Sequence, residues 1–157
     1  MRVPAMEVKK RLERFRGAAR EAGLKLTHQR VEIFREVAST EDHPDAETVF
    51  HGVRERVPTI SLDTVYRTLW LLEDLGLVAT LSPRRERTRF DANFTSHHHF
   101  ICERCGLVRD FEHEEYDMLD VPPEVKRLGP VSRVSVEVRG VCRECAGRLR
   151  RKKGSKR

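Results

Sequence analysis

Cys102 and Cys105 are separated by two residues, and so are Cys142 and Cys145. A CxxC knuckle lets two thiolates turn onto one ion, and two knuckles complete a closed tetrahedral S4 set of the kind that holds structural zinc at about 2.3 Å per bond. The knuckles lie farther apart in the chain than in a single small finger, so the ion is expected to staple separate strands. With sulfur in every position, no open site remains for catalysis. A thioredoxin-like redox pair shares this spacing, but neither knuckle falls in a βαβ pattern and there are two of them. A zinc site that also reacts with oxidants would draw on the same residues.

His97, His98 and His99 precede the first knuckle. In an extended strand His97 and His99 share one face while His98 points away. Asp91 upstream and Asp110 downstream could complete a nitrogen and oxygen shell, which suits Fe2+, Mn2+ or Zn2+ better than the sulfur set does. The bland alternative is a solvated histidine stretch. An enzyme is a further alternative, since two imidazoles and a carboxylate with open positions can support non-haem iron or zinc chemistry. The chain shows no general-base arrangement to go with it.

A third set of residues points to nucleic acid. A helix opening at Ser61 buries Val65, Leu69 and Leu72, which leaves Tyr66 and Arg67 on the opposite face and Ser61 and Thr64 at its positive N-terminus. Arg84, Arg85, Arg87 and Arg89 crowd the segment that follows, where arginine suits a minor groove or the phosphate backbone. An ordinary amphipathic helix and a charged hairpin would read similarly. A zinc-ribbon RNA-binding module would explain the knuckles and the basic ends, but not the His/Asp cluster.

The elements that must position these residues follow from periodicity. Over residues 8–80 the apolar residues recur at helical spacing: Val8, Leu12, Phe15 and Ala19; Val31, Phe34 and Val37; Val49, Phe50, Val53 and Val57. Gly23 stops the first helix, Thr27 caps the second, Asp45 caps the third and Pro58 closes it, and Gly76 ends the helix that opens at Ser61. Residues 77–81 and 88–90, joined by Ser82-Pro83-Arg84-Arg85, read as a β-hairpin. Helices followed by a basic hairpin predict a winged helix-turn-helix. From His97 onward the pattern is β-like: Phe100 and Ile101, residues 107–111, then Val134, Val136 and Val138 in alternation. One helix is expected from about Pro122-Pro123, burying Val125 and Leu128 and ending at Gly129-Pro130. The fold class is α+β, with a DNA-binding domain over residues 1–92, a small α/β domain over 93–150 and a basic tail over 151–157.

Composition sets the bounds. The 157 residues carry a formal net charge of +6, with 31 basic against 25 acidic side chains, which favours a polyanionic partner without making a uniformly basic coat. Residues 1–20 hold seven Lys or Arg against two Glu, and residues 143–157 hold eight against one. The last ten residues read most simply as a solvated, irregular tail. No stretch resembles a signal peptide or could span a bilayer, so a cytosolic location is expected. In a reducing cytosol four cysteines are used as metal ligands, as redox groups or in burial rather than as disulfides.

Taken in order, Leu26-Thr27-His28-Gln29-Arg30, His43-Pro44, Thr64-Val65-Tyr66-Arg67-Thr68-Leu69, Gly76-Leu77-Val78, Arg89-Phe90-Asp91, the three histidines and the two knuckles resemble the ferric uptake regulator (Fur) family. The resemblance runs from about Lys25 to Cys145. It implies a homodimeric, metal-dependent DNA-binding repressor, with an N-terminal winged-helix domain, a C-terminal dimerisation domain and structural zinc on Cys102, Cys105, Cys142 and Cys145. It adds His43 to Asp91, His97, His99 and Asp110 as ligands of a regulatory metal, Fe2+ or Mn2+, that acts as corepressor by linking both domains. It places operator contacts on Ser61, Thr64, Tyr66, Arg67, Arg84 and Arg85.

Iron-responsive members generally carry glutamates where this chain has Asp91 and Asp110, whereas the peroxide-responsive branch carries aspartates. In that branch iron-catalysed oxidation adds oxygen to a ligand histidine, here His43 or His97. Arg67 after Tyr66 is common in the iron-responsive branch, and an iron- or zinc-responsive repressor is the alternative on the same fold. Two positions depart from the family: His28 stands where proline is usual, and residues 131–139 lack the histidine that many iron-responsive members use for an additional metal site.

Overall fold

The computed structural model describes residues 2–81, 88–131 and 133–154, with the backbone alone over 149–154. The chain divides into two compact units, Met1–Phe94 and Thr95–Arg157.

The first unit contains α1 (Ala5–Glu21), α2 (His28–Ala38), α3 (Ala46–Arg54), α4 (Leu62–Asp74), β1 (Ala79–Leu81) and β2 (Arg89–Asp91). Three helices begin as the sequence predicts. Thr27, Asp45 and Ser61 each accept a hydrogen bond from the backbone N–H three residues on, satisfying a donor the helix cannot use itself. At Gly76, φ is +67°, which lets Leu77 N–H reach back to Leu72 C=O at 2.7 Å and closes α4 with a glycine cap. The apolar faces meet in one core, in which Phe15 stacks on Phe34 with centroids 4.1 Å apart, surrounded by buried Ile33, Val49, Val65, Leu69 and Leu72.

One buried charge is compensated locally. Glu32 accepts from Arg56 Nε at 2.6 Å, and Arg56 Nη2 reaches Glu36 at 2.7 Å. Gly52 makes this possible, because a Cβ there would stand 2.1 Å from the Glu36 carboxylate.

The hairpin is shorter than predicted. β1 and β2 pair antiparallel from Ala79↔Asp91 to Leu81↔Arg89, while Leu77 and Val78 are consumed by the end of α4 and are buried. The predicted turn, with Arg84, Arg85 and Arg87, lies outside the described residues.

The second unit contains β3 (His98–Cys102), β4 (Val108–Phe111), α5 (Glu114–Asp117), α6 (Pro123–Lys126), β5 (Glu137–Gly140) and α7 (Arg143–Gly154). Its sheet has the order β4-β3-β5, antiparallel between β3 and β4 and parallel between β3 and β5. Ile101 and Val108 are its buried aliphatic side chains among the described residues. So small a core needs a further brace.

Three expectations are corrected in this unit. The helix predicted to bury Val125 and Leu128 is only α6, four residues long, and those side chains are 42% and 87% exposed. Val134 and Val136 precede β5, and Val134 and Val138 are exposed, because no described element covers them. The basic stretch expected to be irregular is helical as far as Gly154.

Candidate metal centre

The two knuckles converge. β3 ends at Cys102, and Gly106, at φ +68°, donates its N–H to Cys102 C=O, turning Cys105 back toward the strand. Cys142 and Cys145 lie at the start of α7, delivered beside β3 by its parallel partner β5. The four Sγ atoms all lie within 4.8 Å of one another, and Cys105 and Cys142 are 3.7 Å apart. Two thiolates on one tetrahedral zinc stand about 3.8 Å apart, given zinc–sulfur bonds of about 2.3 Å, so the residues fit the ion.

The surroundings prepare the thiolates unevenly. Burial pushes the Cys102 thiol up, but N–H groups of Cys142, Cys105 and Arg104 outweigh it and hold Cys102 at about 6. Cys142 N–H donates to Cys102 Sγ at 3.3 Å. Hydrogen bonds with Cys142 and Cys105 push Cys145 up to about 12, so it keeps its proton longest without metal.

The same strand carries the histidines. The His97 and His99 rings lie 4.7 Å apart, nearly perpendicular, and their Nε2 atoms are 3.9 and 3.5 Å from Asp110 Oδ1. Pairing of β3 with β4 sets His99 directly opposite Asp110. Ligands on one ion at about 2.1 Å are separated by about 3.0–3.4 Å, so this donor set needs only small closure around a metal. His97 Nδ1 lies 2.8 Å from Thr95 C=O, a contact that restrains the ring with Nε2 toward Asp110.

His98 faces the other way, and neither its burial nor its partners were evident from spacing. Val136 N–H donates to His98 Nδ1 at 3.2 Å, which leaves the proton on Nε2, 3.4 Å from Asp117. Ser96 donates to that carboxylate, and the His98 ring packs against Phe111 and Tyr116. Arg133, beside His97, was also missed, because a contact across 36 residues leaves no local mark.

In the first unit, His43 and Asp91 are both buried, with His43 Nε2 4.0 Å from Asp91 Oδ1. His43 sits in the loop before α3, and Asp91 ends β2. On α4, Tyr66 and Arg67 are exposed, and Arg67 pairs with Asp63 at 2.9 Å. Ser61 and Thr64 share a hydroxyl contact of 2.8 Å within the cap.

A capped helix-turn-helix with its hairpin, followed by an α/β unit that carries a zinc-type tetrathiolate set, defines a metal-responsive winged-helix regulator of transcription. The profile described as Ferric uptake regulator family matches residues 21–127, and the chain belongs to that family. A peroxide-responsive repressor PerR from Staphylococcus epidermidis is 34% identical over 134 residues, 85% of this chain and 89% of the relative. The crystal structure of the Campylobacter jejuni peroxide stress regulator is similar with a TM-score of 0.63 at 25% identity, covering 85% of this chain and 98% of the other. The ferric uptake regulator from Pseudomonas aeruginosa, solved with manganese, gives 0.64 at 27% identity over 82% and 97% of the two chains. No helix among the described residues is long and apolar enough to cross a membrane.

Proposed function

We propose that this protein is a homodimeric repressor that senses hydrogen peroxide through a regulatory metal held by His43, Asp91, His97, His99 and Asp110. One observation carries the reading: both units present buried imidazoles beside an aspartate, with no sulfur in either set. Such donors suit Fe2+ or Mn2+, and the sulfur set suits zinc. The similarity to a peroxide-responsive repressor supports the same branch.

Fe2+ held by His43, Asp91, His97, His99 and Asp110 would supply the one-electron chemistry that breaks the peroxide O–O bond, and would not be consumed in the net reaction, in which the imidazole itself is oxidised. Net, one peroxide oxygen is added to the imidazole of His43 or His97 and the other leaves as water. The modified ring is a poorer ligand, so the metal and then the DNA are released. The metal favours DNA binding only in so far as it binds the DNA-competent state more tightly. Tyr66 and Arg67 read the operator, with Ser61, Thr64, Arg84 and Arg85 on the backbone. The exposed Met118, Leu119, Leu128, Val131, Val134 and Val138 of the second unit are apolar side chains that a second copy would cover.

The test loads zinc-replete protein with Fe2+ or Mn2+, selects duplexes from a randomised pool, adds peroxide and maps oxygen by peptide mass spectrometry. Peroxide is expected to abolish DNA binding by the Fe2+ form alone, with one added oxygen on His43 or His97. Peroxide-insensitive binding by the Fe2+ form sinks the sensor reading. It would favour a repressor that responds to metal supply, the second reading, which the likeness to the manganese-bound regulator supports.

A further inference from the structure

His43 is the one non-glycine residue among those described with a positive φ, 49°, and the ring of Pro44 restricts it further. A residue in that region needs its surroundings to hold it there. Two contacts from β2 do so. Arg89 Nη1 donates to His43 C=O at 3.2 Å, and Phe90 N–H donates to Pro44 C=O at 3.1 Å as part of the antiparallel bridge between Asp45 and Arg89. The loop is thus tied to β2 by an isolated bridge.

Arg89 and Asp91 alternate with Phe90, so their side chains leave the same face of β2 while Phe90 is buried in the core. One strand therefore carries the carboxylate, and the guanidinium two residues away grips the backbone that carries the imidazole. We infer that Arg89 is a positioning residue for the regulatory metal: it holds His43 in the strained backbone conformation that brings its ring beside Asp91. The inference rests on His43 and Asp91 being ligands.

Charge and geometry make opposite demands here. A cation on the same face as Asp91 opposes a second cation, so on electrostatics alone removing Arg89 would strengthen metal binding. If the grip on the loop is what matters, removing it weakens binding instead. Partners that orient metal ligands typically contribute about 10–100-fold in affinity.

The experiment measures Mn2+ affinity of the zinc-replete full chain by calorimetry, together with zinc content and thermal unfolding without Mn2+. Arg89→Met keeps the side-chain stem and loses the donor; Arg89→Lys keeps a donor; His43→Ala tests the ligand itself. The expected result is Mn2+ binding about 10–100-fold weaker in Arg89→Met, partly restored in Arg89→Lys, with zinc content and unfolding unchanged. Wild-type or tighter affinity in Arg89→Met overturns the inference. If His43→Ala binds Mn2+ like wild type, it is the ligand assignment that fails, and the inference falls with it. Should Arg89→Met fail to retain zinc, amide exchange on the wild type decides: Mn2+ must slow exchange at residues 43, 45 and 89–91 together, and Mn2+ binding without that protection overturns the proposal.

Discussion

Replacing Cys142 by serine removes one corner of the sulfur set, the Sγ that lies 3.7 Å from that of Cys105, while the backbone N–H at 142 can still donate to Cys102 Sγ. Structural zinc contributes roughly 10–16 kcal/mol of apparent binding free energy in small fingers, and the second unit has little apolar core to substitute for it. The variant is expected to lose its zinc by elemental analysis and the cooperative unfolding of that unit, while the first unit keeps its own transition. Full zinc content in Cys142→Ser would remove the clamp from the structure's explanation. The thiols also predict a pH signature for the zinc-free protein. Cys102, held at about 6 against an ordinary 9.0, contributes stability that is complete above 9.0 and lost as the pH falls through about 6. Cys145, raised to about 12, contributes in the opposite sense, below 9.0 and fading as the pH rises through about 12. Ultraviolet thiolate absorbance should begin near pH 6 without zinc and at lower pH with it, since the ion displaces the protons. Identical titrations with and without zinc would mean that the thiols are not ligands.

The helices of the first unit can be tested at their ends. Ser61→Ala removes the cap of α4 and is expected to cost about 1 kcal/mol in denaturant unfolding. Gly76→Ala forces a side chain into the left-handed region and is expected to cost about 1–2 kcal/mol. An unchanged midpoint in either would contradict the corresponding cap. These ends were legible because each is a local mark: Thr27, Asp45 and Ser61 in front of a helix, Gly23 and Gly76 behind one. The segment over residues 122–130 does form a helix, but α6 has only four residues and its burial was misread, because nothing in the described chain covers Leu128. Alternation at Val134 and Val138 reports an apolar side without saying what packs on it. At the site, spacing selected Asp91, His97, His99 and Asp110 by type, and His43 came only from the family resemblance. How they meet, with Asp110 opposite His99 by strand register and Arg89 on His43 across 46 residues, depends on pairing that no local pattern records.

For the whole molecule, the proposed dimer and its DNA set the predictions. Val138→Glu places a charge on the exposed side of β5 and is expected to shift the chain from dimer to monomer in sedimentation velocity without loss of zinc. A dimeric Val138→Glu would move the partner face elsewhere. Operator affinity should fall linearly with salt on logarithmic axes, with a slope of about −0.9 per neutralised phosphate. Arg67→Ala is expected to weaken specific binding about 10-fold or more, whereas an unchanged affinity would take Arg67 off the interface.

The separation of the two knuckles also orders events during synthesis. Cys105 and Cys142 are 37 residues apart, so at roughly 5–20 residues per second the second pair leaves the ribosome about 2–7 s after the first. Throughout that interval the nascent chain already contains the complete first unit and only half a clamp. An ion captured then is held by two sulfurs and exchanges freely, and it is locked only when β5 arrives beside β3. Commitment of the ion therefore waits for the second knuckle, and oxidant reaching Cys102 and Cys105 before it would leave the second unit without its brace.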